Sequence, residues 1–313
     1  MGTFGGHALP GTFFIVFAVW WTVQTYRRYF RSLRKGGQPY RSSVAFPFDC
    51  LCGRVRAWPW EGILKIFFTT IGFAGEIITA FKDGRFTHLG NGQHATMFFI
   101  FGLSGLVDIL VHFRFPLPKD VDYVISTLAF AVEDVLFMFH THGRTPLDVL
   151  IHTLLVYVIH ANVLVCLVEL KYRDNVTVTL ARSYVVFLQG TWFWQAGFIL
   201  YNPIHGAQKW DEDNHEQMMV VTMMFAWHMA AIFIVMITIG IVVSMAESRC
   251  TERSKSSGDS NGGSNRYDQI RLMDAEGKGF GSGEGEATLL GDDSDTDNSD
   301  DVTFQRPTGG SVA

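Results

Sequence analysis

Seven apolar stretches follow one another in the first 245 positions of the 313-residue chain. A helix rises about 1.5 Å per residue, so stretches of about 20 residues can cross about 30 Å of hydrocarbon. Segments exposed to lipid must satisfy their own backbone hydrogen bonds, and this requirement favours helices. The sequence therefore predicts an all-α polytopic membrane bundle of about seven transmembrane helices, at Leu9–Tyr26, Gly62–Phe81, His94–Phe113, Val121–Phe139, Pro146–Leu170, Thr179–Tyr201 and Gln217–Met245.

Composition changes abruptly after the last apolar stretch. Beyond Ser248 the chain consists largely of glycine, serine, aspartate and glutamate. Apolar side chains are too few there to offset the conformational entropy lost on ordering. We therefore expect two parts, a seven-helix transmembrane domain at residues 1–247 and a disordered acidic cytosolic tail at residues 248–313.

Lysine and arginine residues of the short loops fall mainly on one side of the predicted bundle. Such cations stay on the cytoplasmic side during insertion, so the bias predicts a lumenal or extracellular N-terminus and a cytosolic C-terminus. The sequon that begins at Asn175 then lies in a cytosolic loop and is expected to carry no glycan. The cations on the predicted cytosolic side are Arg27, Arg28, Arg31, Arg34, Lys35, Arg54, Arg56, Arg114, Lys119, Lys171 and Arg173.

Ionisable side chains inside the predicted spans are the candidates for chemistry, because burying a charge in hydrocarbon is costly. Depth along the helices puts three acidic residues, Glu76, Glu133 and Asp148, within about two turns of the lumenal face. Asp148 and His152 are four positions apart, so a carboxylate lies beside an imidazole on one helix face. With histidines from other spans and from lumenal helix ends, the candidate metal ligands are His94, His142, Asp148, His152, His215, His228 and Glu76.

Four interpretations of these residues stay open, and no catalytic residue is assigned. Histidine and carboxylate side chains from several helices could bind a divalent metal such as zinc. Two histidines on facing helices, His228 with His152 or His160, could hold a haem. Groups at graded depth could relay protons, or the same groups could hydrogen-bond one another and fix the helix packing. Zinc on His152, His142 and His228 could also activate water in an intramembrane hydrolase.

Five groups of residues occur in order along positions 1–247. They are Gly6-His7-Ala8-Leu9-Pro10-Gly11; His140-Thr141-His142-Gly143-Arg144 with Leu147-Asp148 and His152; the segment from Gln189 to Gln195; Trp210-Asp211 with His215; and Trp227-His228. Together they resemble the transmembrane protein 45 family, whose members are multi-pass membrane proteins with a domain of unknown function.

The resemblance implies residence in Golgi, endosomal or lysosomal membranes and implies no established reaction. This chain has Gln93-His94 where family members often have two adjacent histidines, and its acidic tail is longer than theirs. Position by position, the family's motif histidines and acids fall on His7, His94, Asp108, His142, Asp148, His152, His215 and His228.

Linear motifs in the predicted tail point to the membrane sorting machinery. Tyr267 and Ile270 frame a tyrosine-based signal of the kind that clathrin adaptors bind as an added strand with two side-chain pockets. Leu289 and Leu290 follow two glutamates in an imperfect acidic dileucine motif. These four residues are the candidate sorting residues, and clathrin adaptors are candidate partners.

We therefore predict a multi-pass protein of the Golgi, endosome, lysosome or plasma membrane that acts in trafficking or organelle homeostasis, and for which no enzymatic activity is expected. Its lumenal histidine and carboxylate cluster would bind a metal ion or protons. The alternatives are a zinc-dependent intramembrane hydrolase and a bis-histidine haem electron carrier. The bilayer is an expected partner and nucleic acid is not, and the apolar helix surfaces also suit a homo-oligomer.

Overall fold

The computed structural model describes residues 2–48, 58–82, 84–141 and 143–256. Within these ranges the chain forms seven helices and one short hairpin, which confirms the predicted all-α bundle. The predicted tail beyond residue 256, with Tyr267, Ile270, Leu289 and Leu290, lies outside the described residues. The elements are α1 (Phe4–Ser32), α2 (Trp60–Ala80), β1 (Phe81–Lys82), β2 (Arg85–Phe86), α3 (Leu89–His112), α4 (Val121–Met138), α5 (Pro146–Lys171), α6 (Val176–Leu200) and α7 (His215–Ser256).

Helix α1 begins before the predicted start at Leu9. The hydroxyl of Thr3 accepts a hydrogen bond from the backbone N–H of Gly6 at 3.0 Å and so caps the helix, which starts at Phe4. This early start lengthens the helix by more than one turn and brings His7 into it.

Helices α1 and α7 both continue beyond their apolar stretches, to Ser32 and Ser256. At these ends Arg27 and Arg31 of α1 pair with Glu247 of α7, at 3.2 and 3.0 Å. Such pairs stabilise charged helix ends that hydropathy alone assigns to loops. The first and last helices are thus joined at the end that carries the basic residues.

Of the seven helices in the described ranges, five are long and apolar enough to cross a membrane: α1, α2, α3, α5 and α7. The other two, α4 and α6, coincide with predicted spans but carry more polar residues. Glu133 and Asp134 of α4 and Arg182 and Gln189 of α6 are all buried. Their polar faces therefore turn towards neighbouring helices, because an unpaired charge facing lipid would be costly.

Close backbone contact fixes α1 against α6. A Cβ atom added to Gly11 would lie 2.8 Å from the carbonyl oxygen of Gly190, and one added to Gly190 would lie 2.8 Å from that of Gly11. Small residues allow membrane helices to approach in this way. Any larger residue at either position would push the two helices apart.

A buried ion pair joins α5 to α6. Glu169 Oε2 lies 2.6 Å from Arg182 Nε, and the two side chains are 0% and 4% exposed. The Arg182 guanidinium also lies over the Trp21 ring of α1, 4.5 Å from its centroid, and donates to the Ser43 carbonyl at 3.0 Å. Glu169 accepts a hydrogen bond from the Tyr123 hydroxyl of α4 at 3.4 Å. One charged pair thus connects four helices and the segment between α1 and α2.

A second buried carboxylate, that of Glu61 at the start of α2, holds the same segment. It accepts hydrogen bonds from the indole N–H groups of Trp20 and Trp21 and, at 2.8 Å, from the backbone N–H of Phe46. The chain after α1 is therefore folded back onto the bundle and anchored there.

Replacing Glu169 by alanine should destabilise the bundle, because the Arg182 guanidinium would stay buried without its counter-charge. Breaking such a pair costs about 3–5 kcal/mol, so the thermal unfolding midpoint of the detergent-purified protein should fall. Glu216→Ala, at the exposed start of α7, is the matched control and should change little. Glu169→Ala combined with Arg182→Leu should recover part of the loss. Equal midpoints for the two single variants would contradict the role of the pair.

Candidate functional site

A cavity of about 300 Å³ lies at the end of the bundle opposite the basic helix ends. Because successive helices alternate in direction, this end collects the start of α1, the end of α2, the start of α3 and the segment from α4 to α5. Exposed His88 lies among the lining residues, and four further imidazoles line the cavity more deeply. We call the cavity with these four residues, His7, His94, His140 and His152, the histidine chamber.

The four imidazoles form a continuous row. Ring centroids are 6.0 Å apart for His7 and His152, 5.9 Å for His152 and His140, and 4.9 Å for His140 and His94. The rings come from α1, α3, α5 and the segment after α4. The row therefore depends on the packing of the whole bundle.

The two buried imidazoles of the row are each anchored through Nδ1. His7 Nδ1 lies 3.0 Å from the Thr3 carbonyl oxygen. His152 Nδ1 lies 2.9 Å from the Asp148 carbonyl oxygen and 2.7 Å from Asp148 Oδ1, so the predicted pairing of Asp148 with His152 is confirmed. These oxygens only accept, so Nδ1 carries the proton in both rings, and Nε2 of the neutral ring keeps its lone pair.

The other two imidazoles follow the same pattern. His140 Nδ1 lies 2.8 Å from Gln93 Oε1, and His94 Nδ1 lies 3.3 Å from Glu76 Oε1. Gln93 Oε1 accepts a hydrogen bond from the His140 ring, and Glu76 lies within ion-pair distance of His94 Nδ1. In each of the four rings Nδ1 thus lies against an oxygen atom, and no hydrogen bond to Nε2 is formed among the described residues.

Arg144 connects Asp148 with the backbone at His140. Its guanidinium donates to both carboxylate oxygens of Asp148, at 3.1 and 2.8 Å, and to the carbonyl oxygen of His140 at 2.7 Å. Both bonds to the carboxylate come from Nη1, and such charge-assisted hydrogen bonds are stronger than neutral ones. Arg144 therefore positions Asp148, and through it the ring of His152.

Glu133 contributes a carboxyl group to the wall of the chamber. Its Oε1 accepts from Gln189 Nε2 at 2.8 Å, and Gln189 in turn accepts from Asn162 at 2.6 Å. The buried Glu133 Oε2 has no hydrogen-bond partner in the part of the chain that the structure describes. A buried acceptor without a donor is costly, and a cation in the chamber would satisfy it.

Burial, together with the nearby His94 and Arg144, lowers the pKa of His140 to about 3. His140 is therefore neutral throughout the physiological range. A neutral imidazole is the form that binds metal ions.

The rings as placed do not already converge on one point. Among the described residues, no group of three or more histidine, cysteine, aspartate or glutamate side chains is placed to hold a metal ion. His142, one of the predicted ligands, lies outside the described residues.

The structure brings together four of the predicted ligands, Glu76, His94, Asp148 and His152, and separates two others from them. His215 is exposed at the start of α7 and does not line the chamber. His228 lies outside the chamber because it packs against a different residue of α6. It packs against the buried Trp192 ring and lies 3.4 Å from Gln195, whereas the Trp192 indole donates to Ile151, the residue before His152.

Sequence reasoning left three chamber residues out of the ligand set: His7, His140 and Glu133. Each carried a signal, because His7 and His140 lie in the resemblance motifs and Glu133 lies at the same depth as Glu76. Arg144 lies in one of the same motifs, but the sequence predicts no role for it. Depth along a helix places such residues at one level, but it does not reveal which side of the helix faces the cavity.

Comparison with known proteins matches this chain to a family of unknown function and to transmembrane proteins. Residues 119–240 match the profile of a family described as "Family of unknown function (DUF716)". That segment includes Arg144, Asp148 and His152, but not His7, Glu76 or His94.

Three curated relatives are similar over longer stretches. Transmembrane epididymal protein 1 of Homo sapiens is 29% identical over 188 residues, which cover 56% of this chain and 68% of that protein. Transmembrane epididymal protein 1A of Mus musculus is 26% identical over 252 residues, and transmembrane epididymal protein 1 of Rattus norvegicus is 25% identical over 247 residues. Each of these covers 73% of this chain and 76% of the relative. With its apolar helices and these transmembrane relatives, the chain is a multi-pass integral membrane protein similar to DUF716 proteins.

Proposed function

We propose that the histidine chamber binds a divalent transition-metal ion, with zinc as the reference ion, in a non-enzymatic membrane protein of organelle homeostasis. The observation that carries this proposal is that Nδ1 of all four rings lies against an oxygen atom, by a hydrogen bond in three of them, so that Nε2 is left for a metal ion. Histidines that bind a metal donate their other ring N–H to a carboxylate, a backbone carbonyl or water. The oxygen atoms that lie against Nδ1 here belong to backbone carbonyls, carboxylates and one side-chain amide.

Ring spacing gives independent support. Two imidazoles bound to one tetrahedral zinc ion at about 2.0–2.1 Å have ring centroids about 5 Å apart. His140 lies 4.9 Å from His94 and 5.9 Å from His152, measured between ring centroids. Binding of one ion by these three rings would require their side chains to rotate inward, because the rings do not converge as placed.

Carboxyl groups at the wall supply charge and oxygen ligands. Glu76 lies against His94, and Glu133 lies in the cavity wall with its Oε2 lacking a hydrogen-bond partner among the described residues. Arg144 would repel a dication, but its guanidinium is directed at Asp148. A site of three imidazoles and one carboxylate would suit zinc, which binds nitrogen and oxygen ligands in tetrahedral sites.

The alternatives receive less support from the described residues. The hydrolase interpretation needs His228 beside His152, and the haem interpretation needs His228 facing His152 or His160. His228 instead packs on Trp192 outside the chamber, and His160 pairs with Asp134 at 2.9 Å with its side chain half exposed. A proton-binding role stays the second candidate, because the carboxyl groups of Glu76 and Asp148 lie beside the rings of His94 and His152.

The compartment and orientation are part of the same proposal. The basic helix ends lie opposite the chamber, which under the rule for cytoplasmic cations makes the chamber lumenal or extracellular. Residence in Golgi, endosomal or lysosomal membranes rests on the finer resemblance to the transmembrane protein 45 family. Sorting through clathrin adaptors would use Tyr267, Ile270, Leu289 and Leu290 in a cytosolic tail.

Zinc analysis of the detergent-purified full-length protein tests the proposal. After chelation and reloading, the wild type should retain about one zinc ion per chain. His94→Gln with His152→Gln should lose it, because two Nε2 ligands are removed. The matched control is His160→Gln with His228→Gln, which removes two helix histidines outside the chamber and should retain zinc.

Two checks keep this outcome interpretable. Circular dichroism and elution as a single species should show that each variant keeps its helices, and His94→Gln alone removes the less buried of the two rings. A wild type without zinc, or equal zinc in the chamber and control variants, would contradict the metal site. Proton binding, or mutual hydrogen bonding that fixes the helix packing, would then account for the cluster.

Glycosylation tests the orientation. A sequon placed in an N-terminal extension should receive a glycan in cells, because the N-terminus is proposed to be lumenal. Asn175, whose side chain caps α6 by accepting from Thr177 N–H at 2.9 Å, should receive none. A glycan on Asn175 and a bare N-terminal sequon, detected by glycosidase shift, would reverse the topology.

A further inference from the structure

A second cavity lies at the other end of the bundle and is lined by arginine and lysine side chains, whereas imidazoles and carboxyl groups line the chamber. It has a volume of about 700 Å³ and lies between the end of α1 and the segment from Gly36 to Pro47. No acidic side chain lines it among the described residues. We call it the basic recess, after the six cations that line it: Arg27, Arg28, Arg31, Arg34, Lys35 and Arg41.

Positive charge dominates the described lining of this recess. Glu247 of α7 pairs with Arg27, Arg31 and Arg34, at 3.2, 3.0 and 2.7 Å. Among the described residues, six cations and no carboxylate line this one opening. Like charges gathered so closely repel one another, so the arrangement favours an anion of high charge.

The cations belong to a fixed frame. Arg28 donates to the carbonyl oxygen of Arg41 at 2.9 Å and lies over the Phe46 ring, 4.8 Å from its centroid. Phe46 is buried, and its backbone N–H is bound by Glu61. The segment that carries Arg41 is therefore anchored to the bundle core, which holds it opposite the end of α1.

A general preference for cations in cytoplasmic loops requires only that they lie on that side of the membrane. It does not require that cations from a helix end and from a folded-back segment surround one cavity. Guanidinium groups in such a frame match phosphate oxygens with paired hydrogen bonds. Basic pockets beside membrane helices at the cytoplasmic face bind anionic lipid headgroups by these contacts.

We propose that the basic recess binds the multiply phosphorylated headgroup of an anionic phospholipid. The recess adjoins the end of the apolar stretch of α1, so a headgroup there would have its acyl chains beside the helices. The volume is within the range of about 300–1,000 Å³ that is typical of small-molecule sites. A soluble inositol phosphate offers the same phosphate chemistry, and the test separates the two sources.

The experiment measures binding of short-chain phosphatidylinositol bisphosphate to the full-length protein in neutral detergent. Short-chain phosphatidylcholine, inositol trisphosphate and inorganic phosphate serve as comparison probes. The test variant is Lys35→Gln with Arg41→Gln, because both side chains are exposed. The matched control, Lys119→Gln with Lys171→Gln, removes two cations at the same end of the bundle that do not line the recess.

The wild type should bind the bisphosphate lipid, and phosphatidylcholine should not compete. The recess variant should bind it roughly 30-fold more weakly, since each cation contributes about 1 kcal/mol and about 1.4 kcal/mol is tenfold. The control variant should match the wild type. Equal weakening in both variants would mean that the lipid is attracted by general surface charge and would contradict a binding site in the recess. Inositol trisphosphate binding as tightly as the lipid would overturn the lipid assignment.

Discussion

The buried pair of Arg182 and Glu169 is the interaction on which the rest of the bundle depends. A guanidinium inside a membrane protein must be paired, so the surrounding helices are drawn around it. The pair holds α6 in the interior, where its glycine contact with α1 sets the position of that helix. Helix α1 then carries His7 to the ring of His152 on α5. A charge pair towards one end thus fixes the geometry of the chamber at the other.

The side chains around the cavities at the two ends of the bundle differ in charge, and this difference indicates ligands of opposite charge. One end gathers imidazoles and carboxyl groups around a small cavity, as a cation site requires. The other gathers guanidinium groups around a larger one, as an anion site requires. Under the proposed orientation, an ion-binding chamber would face the lumen and a lipid-binding recess would face the cytosol, so the two proposed sites would meet different compartments.

Sequence alone predicts the helices well because hydropathy records which segments cross the bilayer. It also predicts the contact between Asp148 and His152, since residues four apart share a helix face. It does not predict that His228 lies apart from them, because the orientation of α7 is set by packing against Trp192 of α6. Hydropathy likewise does not predict the folded-back segment that carries Arg41, because a hydrogen bond from Phe46 to the buried Glu61 of α2 holds that segment in place.

X-ray absorption at the zinc edge of the reloaded, full-length protein tests the central claim most directly, because it reports the ligand atoms themselves. A chamber site predicts nitrogen or oxygen neighbours at about 2.0–2.1 Å, with the outer-shell scattering of several imidazoles and no sulfur at about 2.3 Å. A spectrum with a sulfur shell, or with oxygen neighbours alone and no imidazole scattering, would contradict it.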